Sequence, residues 1–364
     1  MTEIPAHRCF IIAEVGVNHN GDLDQARKLV DVAAEAGADA VKFQTFSADR
    51  LVTPNAQKAR YQKANLPGDD GQYQMLKALE LNADAHKELA ILTNARNIEF
   101  MSTPFDVESL RFLIESKVVS RIKLGSGEIG NLPLLWEAGR TGLPIILSTG
   151  MATLEEISDS LAAVYCGALG IEEPALSDLR SVVALPACEA VRSRITLLQC
   201  TTDYPARLHD LNLRVIPALR DQFGVATGFS DHSEGMIASL GAVSLGAEVV
   251  EKHFTLSRDL PGPDHKASLE PDELNAYISS VRELEKTLGS AQKAPTTREL
   301  ENVAAARKSL VAARAISAGS VLTAHDLACL RPGGGLAPTF FWDVVGKPAI
   351  RDYALFEQID FEQV

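Results

Sequence analysis

The sequence predicts an α/β fold, a (β/α)8 barrel followed by a small β-rich domain. Two observations carry this. Eight short β-rich runs alternate with helical patterns along the first three quarters of the chain, the rhythm of parallel strands joined by crossover helices. Beyond a linker the pattern changes to short β-rich runs separated by turns. An open doubly wound sheet is the alternative for the first part. No GxGxxG follows any of the first three strand-like runs, which weakens a dinucleotide-binding reading.

The strand-like runs are Cys9–Ala13, Ala40–Phe43, Ile98–Met101, Arg121–Leu124, Pro144–Leu147, Ile195–Gln199, Val225–Phe229 and Glu248–Val250. Between them, apolar residues recur at helical spacing in Leu23–Ala36, Ala83–Ala95, Val107–Ser116, Leu132–Arg140, Leu154–Tyr165 and Leu213–Gln222. Two excursions break the rhythm. Ser47–Leu81, after the second strand, is polar and holds an NLPGDDGQ turn; insertions of this length often form lids or binding loops. Gly167–Arg194 is rich in small residues and carries no recognisable motif. The predicted domains are a barrel over 1–289, a linker over 290–303 and a small domain over 304–364. In the small domain, Ser309–Ala313 and Ser320–Thr323 read as strands.

Composition bounds the partners. The 364 residues are 46 % hydrophobic and carry a net charge of −13, which argues against nucleic acid or an anionic membrane as partner. The five cysteines are scattered without a CxxC pair, so neither a disulfide framework nor a zinc ribbon is indicated. No apolar run approaches the roughly 20 residues that span a bilayer. A reducing cytoplasm is the expected location.

In barrels of this kind the working residues stand at the C-terminal strand ends. Here those ends carry Glu14, then Lys42 and Gln44, Thr103, Lys123 with Ser126 and Glu128, Ser148, Tyr204, Ser230 with His232, and His253. The last two strands form one βαβ unit with a histidine just past each strand. Parallel neighbours lie roughly 4.8 Å apart, so His232 and His253 can reach one bound atom, with Asp231, Lys252 and Asp264 nearby in sequence. A shared metal or anion site competes with two histidines satisfied by backbone. Two inward lysines among Ser, Thr and Gly suit a small phosphorylated, carboxylated molecule. Three rival uses stand beside that one. A lysine can form a Schiff base, both lysines can be rim charges paired with glutamates, and the hydroxyls can be helix caps. Glu128 reads equally as a general base or a salt-bridge partner.

Several motifs occur together and in order: AEVGVNHNGDLDQARKLVDVAAEAGADAVKFQTF, MSTPFD, IKLGSGEIGNLPLL, LSTGMATLEEI, CTTDYP, GFSDHSEG and EKHFTLSRDLPGPDHKASLEPDEL. Together they resemble the sialic acid synthase family. The tail ARKSLVAARAISAGSVLTAHDLACLRPGGG is similar to that family's C-terminal antifreeze-like (SAF) domain. The resemblance covers nearly the whole chain. It implies condensation of phosphoenolpyruvate with an open-chain N-acetylated hexosamine and water, giving a nine-carbon 2-keto sugar acid and phosphate. It implies a divalent ion, Mn²⁺ first, with Mg²⁺ or Co²⁺ as alternatives, held by His232 and His253. Lys42, Thr103, Lys123, Ser126, Ser148 and Ser230 resemble the family's phosphoenolpyruvate contacts, and Glu128 the residue that activates water. Glu14, Gln44, Tyr204 and Asp264 match sugar-facing positions. Arg331 resembles an arginine reaching the N-acetyl group in the partner subunit's barrel, which implies a domain-swapped homodimer.

There are departures from the family pattern. Gly125 stands where proline is common, Arg207-Leu208-His209 where a second proline is usual, and Thr202 where some members carry Asn. The expected acceptor is N-acetylmannosamine, giving N-acetylneuraminate. A 2,4-diacetamido-2,4,6-trideoxymannose, giving N,N'-diacetyllegionaminate, and the pseudaminate precursor are the alternatives. A carbohydrate-binding protein on a retained fold is the non-enzymatic alternative, and it predicts a broken lysine or histidine set.

Overall fold

The computed structural model describes residues 8–66, 71–172, 174, 175, 179, 181, 182 and 185–360. The centre of the NLPGDDGQ turn and part of the Gly167–Arg194 insertion lie outside them. The chain divides into two compact units, Met1–Gly289 and Ser290–Val364.

The first unit is a barrel of eight parallel strands. They are β1 (Phe10–Gly16), β2 (Ala40–Thr45), β3 (Glu99–Pro104), β4 (Ile122–Leu124), β5 (Ile145–Ser148), β6 (Ile195–Cys200), β7 (Ala226–Asp231) and β8 (Val249–His253). Their ladder order is β3-β2-β1-β8-β7-β6-β5-β4. β3 and β4 face each other across a seam that no ladder closes. At the N-terminal end of that seam, Arg121 donates to both oxygens of Glu99, at 2.8 and 2.9 Å.

The helices begin where the sequence supplies caps. Asp22 accepts from the amides of Asp24 and Gln25 at the start of α1 (Leu23–Glu35). Among the described residues, the excursion after β2 is not a bare loop but holds three short helices, α2 (Ala48–Leu51), α3 (Arg60–Asn65) and α4 (Gln72–Leu79). α5 (Ala83–Ala95) starts at Asn82, and α6 (Val107–Glu115) at Asp106. α7 (Leu132–Arg140) has proline in its first turn. α8 (Leu154–Ala168) begins with a Thr153–Glu156 capping box. Each such cap is worth about 1 kcal/mol.

Packing follows the two periods. Ile12, Ala40, Met101, Ile146, Leu198 and Val249, one from each of six strands, fill the inside of the barrel below the mouth. The opposite strand faces bury Ile11, Val41, Phe43, Phe229 and Val250 against helices, each side chain contributing about 1.5–3 kcal/mol. α7 and α8 meet backbone to backbone. A Cβ on Gly139 would stand 2.1 Å from the Val164 carbonyl oxygen, and one on Gly167 would stand 1.9 Å from that of Trp136.

In the second unit, β9 (Ser309–Ala312) pairs antiparallel with β10 (Leu327–Leu330). The second strand therefore lies later than the sequence reading placed it. Ser320–Thr323 contributes only an isolated bridge, Val321 to Pro348, with Leu322 in the core and Val321 exposed. Leu310, Ile316, Leu322, Leu327, Val344, Tyr353 and Ile359 make a small separate core. The segment read as linker ends in a helix, Thr297–Ala306, with a capping box at Thr296 and Glu299.

Candidate active site

The strand alternation that builds the core also builds the site. Lys42, Lys123, Ser148, Ser230 and Glu251 project from β2, β4, β5, β7 and β8 into a cavity of about 290 Å³ at the barrel mouth. Glu14, Gln44, Thr103, Ser126, Tyr204, His232, His253 and Asp264 line it too. Twelve of the fourteen residues singled out in the sequence thus share one cavity.

Its floor is an ionic network. Lys42 Nζ lies 2.7 Å from Glu14 Oε2 and 3.7 Å from Glu251 Oε2, and donates to Thr103 Oγ1 at 3.0 Å. Lys123 Nζ donates to Ser148 Oγ at 2.8 Å and stands 3.5 Å from Glu251 Oε1. Ser230 donates to the same Glu251 oxygen at 3.0 Å. Both lysines and both glutamates are buried. The site therefore binds its own cations with carboxylates, and Glu251 bridges the two. Burial favours the uncharged acid of Glu14 and, against the pull of Lys42, lifts it to about 7. For Glu251 burial pushes the same way, but the two flanking lysines prevail and bring it to about 2. Lys123 is lowered by burial, whereas the glutamates around Lys42 overcome burial and raise it.

The wall beside it is aromatic. The rings of His232 and His253 are 5.4 Å apart between centroids. Tyr204 stacks on His232 at 4.1 Å, and Tyr61, from α3, stacks on Tyr204 at 4.8 Å. His232 Nδ1 lies 2.9 Å from the Thr201 carbonyl. A carbonyl only accepts, so Nδ1 carries a proton and, in the neutral ring, Nε2 keeps a lone pair. His253 is driven well below the usual histidine range by burial, then by His232 and Lys42, and its buried Nδ1 has no hydrogen-bond partner among the described residues. Burial lowers His232, but Cys200 beside it and the Thr201 carbonyl raise it above the usual histidine range; a divalent ion would displace its proton and take Nε2 together with a ring nitrogen of His253. Among the described residues no three His, Cys, Asp or Glu side chains form a cluster that could hold a metal. Two protein ligands suit an ion that keeps water and substrate oxygens rather than a structural zinc.

Two of the sequence candidates lie elsewhere. Glu128 is outside the lining. It sits on a 3₁₀ turn, Ser126–Glu128, where Asn131 donates to its Oε2 at 2.6 Å and burial raises its acid. Arg331 belongs to the second unit and donates from Nε to the Ala306 carbonyl at 2.9 Å. Asp231 and Lys252, which the sequence reading grouped with the histidines, are on the outer face of β7 and β8 and pair with each other at 3.1 Å. On a strand, neighbours of an inward residue point outward. The same alternation gives the signal for Glu251, a site residue that the sequence reading passed over: it stands two before His253, on the same face. Gly125 has φ −74°, close to the angle proline imposes. The turn before Ser126 therefore keeps the conformation that the family's proline would fix, and Thr202 lines the cavity.

Comparison with known proteins agrees with this geometry. The NeuB family model matches residues 29–293, and the SAF domain model matches 307–354. The N,N'-diacetyllegionaminic acid synthase of Legionella pneumophila is 46 % identical over 93 % of this chain and 90 % of its own. The protein of that name from Campylobacter jejuni is 42 % identical over 95 % and 97 %. A crystal structure of the N-acetylneuraminic acid synthetase of Leptospira borgpetersenii superposes with a TM-score of 0.67 at 32 % identity, over 82 % of this chain and 91 % of that one. Fold, site and sequence likeness lead to one conclusion: the chain belongs to the NeuB family and carries a SAF domain near its C-terminal end.

Proposed function

We propose that this protein condenses phosphoenolpyruvate with an open-chain acetylated amino sugar and water, releasing phosphate and a nine-carbon 2-keto acid. The observation that carries the reading is the pair of buried lysines, bridged by Glu251, in one cavity with two histidines. The lysines, with Thr103 and Ser148, hold the phosphate and carboxylate as point charges in a dry setting. The enol carbon then bonds to the aldehyde carbon, and the aldehyde oxygen takes a proton. Water adds to the carbon bearing the phosphate and loses a proton. The C–O bond to phosphate then breaks as the new hydroxyl gives up its remaining proton and becomes the 2-keto oxygen, and phosphate leaves with the bonding pair against the same lysines. Orientation in one cavity supplies much of the acceleration. A divalent ion held by His232 and His253, Mn²⁺ on family likeness, would polarise the aldehyde oxygen as a Lewis acid. Glu128 is the proton acceptor by resemblance. Glu14, in the cavity and raised to about 7, is the second candidate. Glu128→Gln compared with Glu14→Gln decides between them.

Among acceptors, we place 2,4-diacetamido-2,4,6-trideoxymannose first and N-acetylmannosamine second. The relatives named for diacetyllegionaminic acid are 46 % and 42 % identical, against 32 % for the neuraminic acid synthetase. Leu51, Val52, Met75, Leu76, Leu79 and Phe105 line the outer part of the cavity, an apolar wall that suits a C6 methyl and a second acetamide methyl better than two hydroxyls. The homodimer in which the partner subunit's Arg331 reaches the N-acetyl group, and the cytoplasmic location, belong to the same proposal. The test is phosphate release from phosphoenolpyruvate with Mn²⁺ and each of the three sugars. The highest kcat/KM is expected with the diacetamido sugar. Folded protein that releases no phosphate with any of them refutes the synthase reading.

A further inference from the structure

We infer that the buried Asp231–Lys252 ion pair is the device that positions His232 and His253. This rests on the reading of those histidines as holders of a divalent ion. Asp231 and Lys252 are the residues immediately before the two histidines, and they are Cα partners on the last rung of the β7–β8 ladder. Their charged atoms meet at 3.1 Å on the outer face, both side chains being buried. Asp231 Oδ1 accepts from the Ser233 amide at 2.9 Å and from the Ser233 hydroxyl at 2.6 Å. That amide bond closes an Asx turn whose central residue is His232. Asp231 Oδ2 accepts from Ser239 Oγ at 2.7 Å. Lys252 Nζ donates to the Ser233 carbonyl, so the far end of the turn is tied to the residue that precedes His253. One charged node thereby fixes the backbone of one histidine, the backbone next to the other, and the register between them. The His232 carbonyl, which accepts from the Ala206 amide at 2.9 Å, adds a further restraint.

A buried pair of this kind gains little stability over apolar residues of the same shape. Its consequence here is orientation. Groups that orient ligating side chains typically change metal affinity by 10–100-fold when removed. Asp231 and Lys252 are thus positioning residues, acting on the site without facing it.

Metal-free protein is titrated with Mn²⁺, and the free ion is read from its solution electron paramagnetic resonance signal. Lys252→Met is expected to weaken binding by about tenfold, with the KM for phosphoenolpyruvate unchanged. Leu134→Ala, in the separate packing layer of α7, is the control for lost stability and is expected to bind within about twofold of the parent. Equal weakening in both variants, or binding by Lys252→Met within about twofold of the parent, overturns the inference. Should Lys252→Met fail to fold, the Asp231→Asn/Lys252→Met variant takes its place, since it buries no unpaired charge. His232→Ala in the same titration separates the two readings. If it binds Mn²⁺ as the parent does, the metal reading itself fails. If it loses the ion while Lys252→Met keeps it, the clamp alone fails.

Discussion

Replacing Lys123 by methionine tests the ionic floor of the site. The substitution keeps an unbranched side chain, one atom shorter, and removes its charge. Lys123 Nζ is 3.5 Å from Glu251 Oε1 and donates to Ser148 at 2.8 Å. At an effective dielectric near 20, a pair at this distance attracts by about 5 kcal/mol. Glu251 retains Lys42 at 3.7 Å and the Ser230 hydroxyl, so its charge is only half uncovered. Breaking a buried pair costs about 3–5 kcal/mol, and the retained partners place this case near 3. In a unit of this size the melting temperature falls by about 6–12 °C. The Lys123→Met/Glu251→Met variant removes both charges and leaves Lys42 paired with Glu14 at 2.7 Å. It should regain most of that loss. Activity should separate from stability: phosphate release falls by about 10²–10³ in both variants. Thermal denaturation followed by circular dichroism and a phosphate-release assay give the two readouts. A double variant no more stable than Lys123→Met refutes the account of Glu251 as the bridge between the lysines.

Three further outcomes follow from the geometry. Gly139→Ala places a Cβ about 2.1 Å from the Val164 carbonyl oxygen and forces α7 from α8; a loss of about 3 kcal/mol is expected in chemical denaturation, with KM values unchanged. Asp326 is held down to about 2 by hydrogen bonds from the Thr323 hydroxyl and Arg314, then from the Thr323 amide. Its folded value lies below its unfolded one, so it stabilises the second unit above about pH 4 and ceases to as pH falls through 2; Asp326→Asn should cost about 1 kcal/mol at pH 7 and flatten that acid limb of the melting curve. Tyr61→Ala, which removes the outer ring of the stack on Tyr204, should raise the KM for the sugar about tenfold and leave that for phosphoenolpyruvate unchanged, measured by initial rates.

Much of this was legible in the sequence because two periods do most of the building. Strand starts fell within one or two residues of the β-rich runs, and every barrel helix read from apolar spacing is present. The charged strand ends marked the site, since a barrel interior has few other reasons to hold Lys42 and Lys123. What escaped was the side on which a charged residue falls. Asp231, His232, Lys252 and His253 look alike in a linear motif, and only alternation sorts them into an outer clamp and an inner pair. Glu251 was hidden for the same reason. Excursion 47–81 was legible as a binding element but not as α2–α4. Its helices are short and held by contacts distant in sequence, such as Asn65 donating to the Pro263 carbonyl at 2.6 Å. In the second unit, β10 lay outside the β-rich run chosen because a strand of four residues carries little period of its own.

The unlaced seam between β3 and β4 bears on how the barrel yields. Seven ladders tie the strands into a band, and the eighth contact is stapled at one end by Arg121 and Glu99. At the other end stand Thr103 and Lys123, one on each lip. The spacing between these two groups is therefore set by side chains, not by backbone hydrogen bonds. Strain from a poorly fitting ligand is relieved here first, since opening this joint breaks no ladder, while the β1–β8–β7 arc that carries the histidines keeps its shape. The barrel is in effect a split ring, compliant at the β3–β4 seam and stiff along its histidine side.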